Sequence, residues 1–266
     1  MKKIEGNNML ILENYQGGPG VAVCTADPAN NRRSQMYVKP SWRKESTLSR
    51  QRLDDESLEK LDPKDIEKAA RVITEAFMDY PLPGQFIIDP DRRRKALQEM
   101  FKVELRKAFK KGAVYTLGGD FQEVAIWKHA VVPESDFAYL KYARLGTLKL
   151  LFNIRLKECI RLIRALKNVL DTKLKLYLPG DTAELYIVGV NPANQGQGRL
   201  SRLLKPVLHE MQAQGRPVLV MTNTESNKKI YEHLGFKLLR VLEDKDNDFV
   251  AYYLVKYPHP VRLKVV

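Results

Sequence analysis

Gln195-Gly196-Gln197-Gly198-Arg199-Leu200 is the segment whose residue types and spacing most directly suggest chemistry. It follows an alternating apolar run over 183–190 and precedes a stretch with helical spacing. Glycines let the backbone take unusual angles and pass close to a ligand. A loop that opens a helix presents unpaired N–H groups and the positive end of the helix dipole to an anion. The chemistry this suits is the binding of a phosphate or pyrophosphate. No Gly-Lys-Ser/Thr follows, so this is not a Walker loop. No acidic residue ends a second strand about 20 residues on, so it is not a dinucleotide fingerprint. Taken alone, the loop also fits an ordinary tight turn.

The elements needed to hold this loop can be read from the periodicity. Residues 1–55 are rich in Gly, Asn, Pro, Ser and Arg and read as a poorly structured leader, with short strands at 21–24 and 36–38. A short strand at 57–61 comes next. Asp62-Pro63 then starts a helix to Met78, and the run Tyr80-Pro81-Leu82-Pro83-Gly84 ends it. Asp89-Pro90 opens a second helix through Lys110. Strands are expected at 113–117 and 124–127, a helix at 137–170, and a strand at 183–190. A helix at 195–214, a strand at 218–221, a helix at 225–233 and strands at 236–240 and 250–256 complete the pattern. The fold class is α/β (α+β), one domain over 56–266 around one sheet.

The helix at 225–233 carries Asn227 and Tyr231 four residues apart, hence on one face, and Gly235-Phe236 ends it. With the glycine loop before it, this pairing resembles the GNAT acetyltransferase superfamily. There a Gln/Arg-x-x-Gly-x-Gly/Ala loop binds the pyrophosphate of acetyl-CoA, and a later Asn-x-x-x-Tyr helix flanks the pantetheine arm. Gln195 and Gly198 match the loop pattern; Leu200 stands where Gly or Ala is usual. Within the superfamily the chain is similar to the puromycin N-acetyltransferase group. The matching residues are Ala76-Phe77-Met78-Asp79-Tyr80-Pro81, Asp89-Pro90-Asp91-Arg92, Val124-Ala125-Ile126-Trp127, Val188-Gly189-Val190-Asn191-Pro192, and Thr222 through Asn227 to Tyr231 and Gly235-Phe236. The likeness spans about 57–257. Met221 stands where those relatives often have Glu, and the central helical stretch diverges.

The resemblance implies a mostly antiparallel sheet flanked by helices, with a helical insertion at 138–178 before the coenzyme-binding strand. It implies acetyl-CoA as co-substrate and transfer of its acetyl group to an amine. Backbone groups near Val188, Gly189 and Val190 would pair with the pantetheine. Gln195, Gly196, Gln197, Gly198, Arg199 and Leu200 would form the phosphate loop, with Arg199 on a phosphate or in solvent. Asn227 would bond the pantetheine or cap its own helix turn. Tyr231 is the candidate general acid, because a phenol can protonate a departing thiolate. Glu184, two residues from Tyr186 on one strand face, is the candidate base through a water, or else an edge carboxylate. Trp127 and Tyr139 could line an acceptor cavity or belong to the core. The acceptor class is a small-molecule amine, with acetylation of a protein and a non-catalytic acyl-CoA-binding module as alternatives.

Composition bounds these readings. The chain has 266 residues, 45 Lys+Arg against 32 Asp+Glu, and a net charge of +13. Ten of the basic residues fall within 138–178, against only Glu158 and Asp171. No base-reading module accompanies them, so a nucleic-acid partner is not expected. An apolar stripe with a basic back suits a helix packed on the sheet as well as an anionic surface. If these basic helices wall the acceptor site, an anionic amine follows. No apolar run is long enough for a membrane span, so stable membrane association is not expected and a cytoplasmic location is. Cys24 and Cys159 cannot form a zinc site or a disulfide framework by themselves, and no metal is expected. A homodimer is compatible with the sequence.

Overall fold

The computed structural model describes residues 10–13, 58–118, 121–129, 155–174, 176, 178–258 and 262–265. The expected short strands at 21–24 and 36–38, and Tyr139, lie outside them.

Among the described residues a seven-stranded sheet runs in the order β2 (Leu58–Lys60), β3 (Gly112–Leu117), β4 (Glu123–Lys128), β5 (Ala183–Val190), β6 (Val218–Thr222), β8 (Phe249–Lys256), β7 (Lys237–Asp244). Every neighbouring pair is antiparallel except β5 with β6. A separate antiparallel ladder joins β1 (Leu10–Glu13) to β9 (Arg262–Val265), two strands that the periodicity did not reveal. The mixed, mostly antiparallel sheet is as expected.

Helices cover both faces. On one face lie α1 (Ile66–Phe77) and α3 (Pro90–Lys111). Ala69, Ala70 and Ile73 of α1 and Leu97, Phe101 and Leu105 of α3 pack on Val114, Val124 and Ile126. Apolar residues at helical spacing put one face of each helix on the sheet. The carboxylate of Asp89 caps α3 by accepting from the Arg92 N–H at 2.9 Å, and Pro90 occupies its first position. Beside them α4 (Leu156–Leu174) packs Ala165 with Leu219, Ala251 and Tyr253. Three contacts dock this basic helix: Arg92–Glu158 at 2.7 Å, Asn168–Asp244 at 2.7 Å, and the Tyr253 hydroxyl donating to the Val169 carbonyl at 2.7 Å. On the other face, α5 (Arg199–Ala213) and α6 (Glu225–His233) cover Ala125, Leu185 and Val220 with Leu203, Leu204, Val207 and Tyr231.

The helix expected over 137–170 appears, among the described residues, as Leu156–Leu174; Arg155 is not helical, and residues 137–154 lie outside the described residues. Two other helix boundaries differ from expectation in informative ways. The run at 80–84 ends α1, but Pro81–Phe86 then forms a short helix, α2, with Pro at its first position. Proline obstructs a helix interior, not its first turn. The helix expected from Gln195 begins four residues later, at Arg199. Gly196 and Gly198 take φ values of +78° and +75°, outside the right-handed helical region, and a 3-10 turn at Pro192–Asn194 precedes them.

Candidate active site

The candidate site lies where β5 and β6, the one parallel pair among the described residues, part. β5 and β6 pair over Ala183–Val218, Glu184–Leu219 and Leu185–Val220 and then part, although β5 continues to Val190 and β6 to Thr222. A register shift near Tyr186 accompanies the parting. Beyond it, β5 stays on β4, and the Asn191 N–H donates to the Gln122 carbonyl at 2.7 Å. In an antiparallel ladder this bond fixes the alternation. Asn191, Gly189 and Ile187 turn their backbone groups to β4. Val188 and Val190 turn theirs to the open seam. The Val190 carbonyl accepts from the Gln195 amide at 3.2 Å, consistent with that direction. Gly189 therefore plays a different part from the one expected. The side where its Cβ would stand faces α1, 3.0 Å from the Ala76 Cβ and 3.3 Å from the Ile73 Cα. The missing side chain serves the close approach of helix and strand.

The glycine loop follows directly. A Cβ added at Gly196 or Gly198 would meet nothing within 4 Å, so the space before both is open. Gly198 is the N-cap of α5 and supplies no side-chain cap to the first-turn amides. Leu200 packs its side chain on the core below α5, so replacing the usual small residue leaves the loop's open side clear. Arg199 stands neither on the open side nor in solvent. It is buried, with its Nε donating to the Glu123 carboxylate of β4.

Across the seam stands α6. The Thr224 side chain caps it by accepting from the Asn227 N–H at 3.2 Å. Tyr231 is 5% exposed and stands edge-on to Phe236 with ring centroids 5.7 Å apart. Burial pushes its phenol far above the ordinary range, and the nearby Tyr80 phenol adds to the shift. Among the described residues its hydroxyl makes no hydrogen bond. It is thus a protonated donor at any ordinary pH.

Tyr80, given no role from sequence, closes the mouth of the seam. It enters from the α1 face. Its hydroxyl lies 3.0 Å from the Thr222 Oγ1 and accepts from the Asn223 N–H at 2.7 Å. Burial raises its pKa; hydrogen bonds from Thr222, Asn223 and the Asn227 side chain act against that rise. An aromatic immediately before a helix-breaking Pro was the available signal. Beyond the end of β6 lies a depression of about 350 Å³, lined by Pro81, Gln85, Asn223, Glu243, Asp248 and Tyr252 among others.

Glu184 is 6% exposed and lies on the sheet face opposite Tyr231, where its charge raises the pKa of Tyr253 after the larger effect of burial. Its partner across the β4 ladder is Lys128. Trp127 is a core residue beneath α5, not a cavity wall. Among the described residues no three His, Cys, Asp or Glu side chains group as a metal site, and no helix is long and apolar enough to cross a membrane.

Comparison with known proteins points to the same family. The model of the acetyltransferase (GNAT) domain matches residues 171–239, from the end of α4 into β7, which takes in the seam, loop and Tyr231 helix. Over that segment the chain matches the GNAT acetyltransferase domain. Over 182 residues the chain is 26% identical to an uncharacterized N-acetyltransferase of Schizosaccharomyces pombe, covering 66% of this chain and 72% of that protein. Solved structures share the GNAT fold at low identity. One is a histone acetyltransferase HPA2 and related acetyltransferase from Corynebacterium glutamicum (TM-score 0.54, 18% identity, 77% of this chain and 97% of that one). Another is arylalkylamine N-acetyltransferase 2 from Aedes aegypti (TM-score 0.53, 13% identity, 77% and 100%). The GNAT domain is that of an acyltransferase.

Proposed function

We propose that the chain transfers the acetyl group of acetyl-CoA to a primary amine of a small molecule by direct attack. The observation that carries this is the open β5–β6 seam, with outward backbone groups of Val188 and Val190 on one side and the unpartnered Tyr231 phenol on the other. Val188 and Val190 offer N–H and C=O groups at strand spacing, which suits the amides of a pantetheine arm. Amides at Gly196–Leu200 and the N-terminus of α5 suit the pyrophosphate. Asn227 bonds the pantetheine or Tyr80.

In the transfer, the amine nitrogen forms a bond to the acetyl carbon and the carbon–sulfur bond breaks. The amine's proton leaves through water toward Glu184. Tyr231 gives its proton to the departing sulfur. Burial opposes a phenolate, yet it equally opposes a bare thiolate, so the transfer is not made uphill by burial alone. The amine enters by the depression beyond β6. Its lining carries Glu243, Asp244 and Asp248 against Lys245 and, among the described residues, no side chain of α4. That balance favours a neutral or cationic acceptor over the anionic one suggested by the basic helices. The fold accommodates amine acceptors, as the name of the arylalkylamine enzyme indicates for that protein.

The test is release of free thiol from acetyl-CoA against a panel of monoamines, diamines, amino acids and puromycin, with coenzyme A binding followed by calorimetry. Turnover with an uncharged or cationic amine is expected. Binding without turnover on any amine or peptide would show a non-catalytic acyl-CoA module instead.

A further inference from the structure

The phosphate loop is tied at both ends to two consecutive residues beside it, Gln122 just before β4 and Glu123 at the start of that strand. At its start, Asn191 donates its N–H to the Gln122 carbonyl at 2.7 Å and its side-chain amide to the Gln122 Oε1 at 2.8 Å. The Asn191 Oδ1 also accepts from the Ala193 N–H at 3.1 Å, which shapes the first turn. At its end, Arg199 reaches back to Glu123. Glu123 is wholly buried, and its other carboxylate oxygen accepts from the Leu117 N–H at 3.1 Å. The Thr116 hydroxyl donates to the Glu123 carbonyl at 2.7 Å, fixing the same residue from β3. Between these two ties run Gly196 and Gly198, whose left-handed backbone has open space before it and little of its own to hold it.

A buried ion pair is a weak device for stability, because desolvating both charges offsets their attraction. It is a good device for position, since a charge without its partner cannot remain buried. We propose that Gln122 and Glu123 form a clamp that sets the shape of the phosphate loop, so that Glu123, acting through Arg199, is a positioning residue for the donor's pyrophosphate. Arg199 then contributes by holding the first turn of α5 at a fixed height above β4, with its charge spent on Glu123 and not on a phosphate. Glu123 lies across the ladder from Val190, a backbone pairing that does not depend on its carboxylate, so the clamp acts on the phosphate loop and leaves the pantetheine edge to the ladder.

This inference rests on the acetyl-CoA reading, and the experiment separates the two. Glu123→Gln and Gln122→Ala are compared with the natural chain on two donors, acetyl-CoA and S-acetylpantetheine, which lacks the pyrophosphate. Coenzyme A affinity is measured by calorimetry. The variants should raise KM for acetyl-CoA and the Kd of coenzyme A about ten-fold, because small misplacements of binding groups cost that much or more. The kcat at saturation and kcat/KM with S-acetylpantetheine should move less than two-fold. If Glu123→Gln does not fold, Gln122→Ala and the paired apolar replacement Glu123→Leu with Arg199→Met carry the same comparison, and the latter should fold yet bind coenzyme A weakly. Equal losses on both donors, or unchanged coenzyme A affinity, would overturn the clamp. Failure of the natural chain to bind coenzyme A would overturn the donor reading instead.

Discussion

Tyr231 and Glu184 lie on opposite sheet faces and face different tests. Under the proposed mechanism, removing the Tyr231 hydroxyl takes away the proton donor to the departing sulfur and no contact that holds the ring, since Phe236 packs on the ring itself. Tyr231→Phe should lower kcat about 100-fold, within the usual range for general acids, with coenzyme A affinity within two-fold. Steady-state rates beside calorimetry check this, and unchanged turnover would end the assignment. Glu184→Gln should lower kcat about ten-fold or more if its carboxylate takes the amine proton through water. Calorimetry and denaturation beside the rates decide: loss of rate matched by loss of coenzyme A affinity or of stability would mark Glu184 as structural. The Asn227–Tyr231 pair was legible because four-residue spacing fixes a helix face. Tyr80 was not, because its part depends on Thr222 and Asn223, 142 and 143 residues away. Arg199 was misplaced for the same reason. Its partner Glu123 is 76 residues away, and nothing local to the loop marks a buried carboxylate.

At the scale of elements, the strand–loop–helix unit behaves as its glycines require. Gly198 sits at φ +75°, where an L-residue is strained but where no neighbour blocks a side chain. Gly198→Ala should therefore cost about 1 kcal/mol of stability from the backbone alone. The larger loss should fall on donor binding, because the methyl group would stand where a phosphate would lie. Chemical denaturation and coenzyme A titration of the same variant separate the two effects. Helices and strands from 57 onward were readable from apolar spacing, and nearly all appear at or near the expected residues. The exceptions obey other physics. The short α2 begins on a proline that looks like a stop, and β7 runs on to Asp244 because its hairpin turn is tied by Asn247 and Asn168 to the Asp244 carboxylate. A turn held by side chains leaves no periodic trace.

For the whole molecule, the buried phenols set the response to alkali. Burial raises the pKa of Tyr231, Tyr253, Tyr115 and Tyr80 in the folded state, while in the unfolded chain each sits near 10. A group with a raised folded pKa contributes its full stability below the unfolded value. That contribution is lost as pH rises through 10 toward the folded value. Lys256, whose pKa burial lowers, acts in the opposite sense: the unfolded chain holds its proton more tightly, so its contribution rises with pH over that interval. Urea unfolding from pH 8 to 11 should show a net fall in stability beginning near pH 10. Tyr231→Phe should flatten that fall. An unchanged slope would mean that these phenols are not desolvated as described.

The three-pair contact between β5 and β6 also has a mechanical meaning. It divides the sheet into two leaves joined at a short hinge, with Tyr80 bracing the far end through Thr222 and Asn223. From Leu185 to Val190 the free edge runs about 16 Å at strand rise, so a rotation of roughly 4° at the hinge shifts its tip by about 1 Å. The leaves thus act as a lever whose short arm is the core around Ala183 and Val218. Core substitutions there, remote from any reacting atom, would reach the chemistry as a change in gap width.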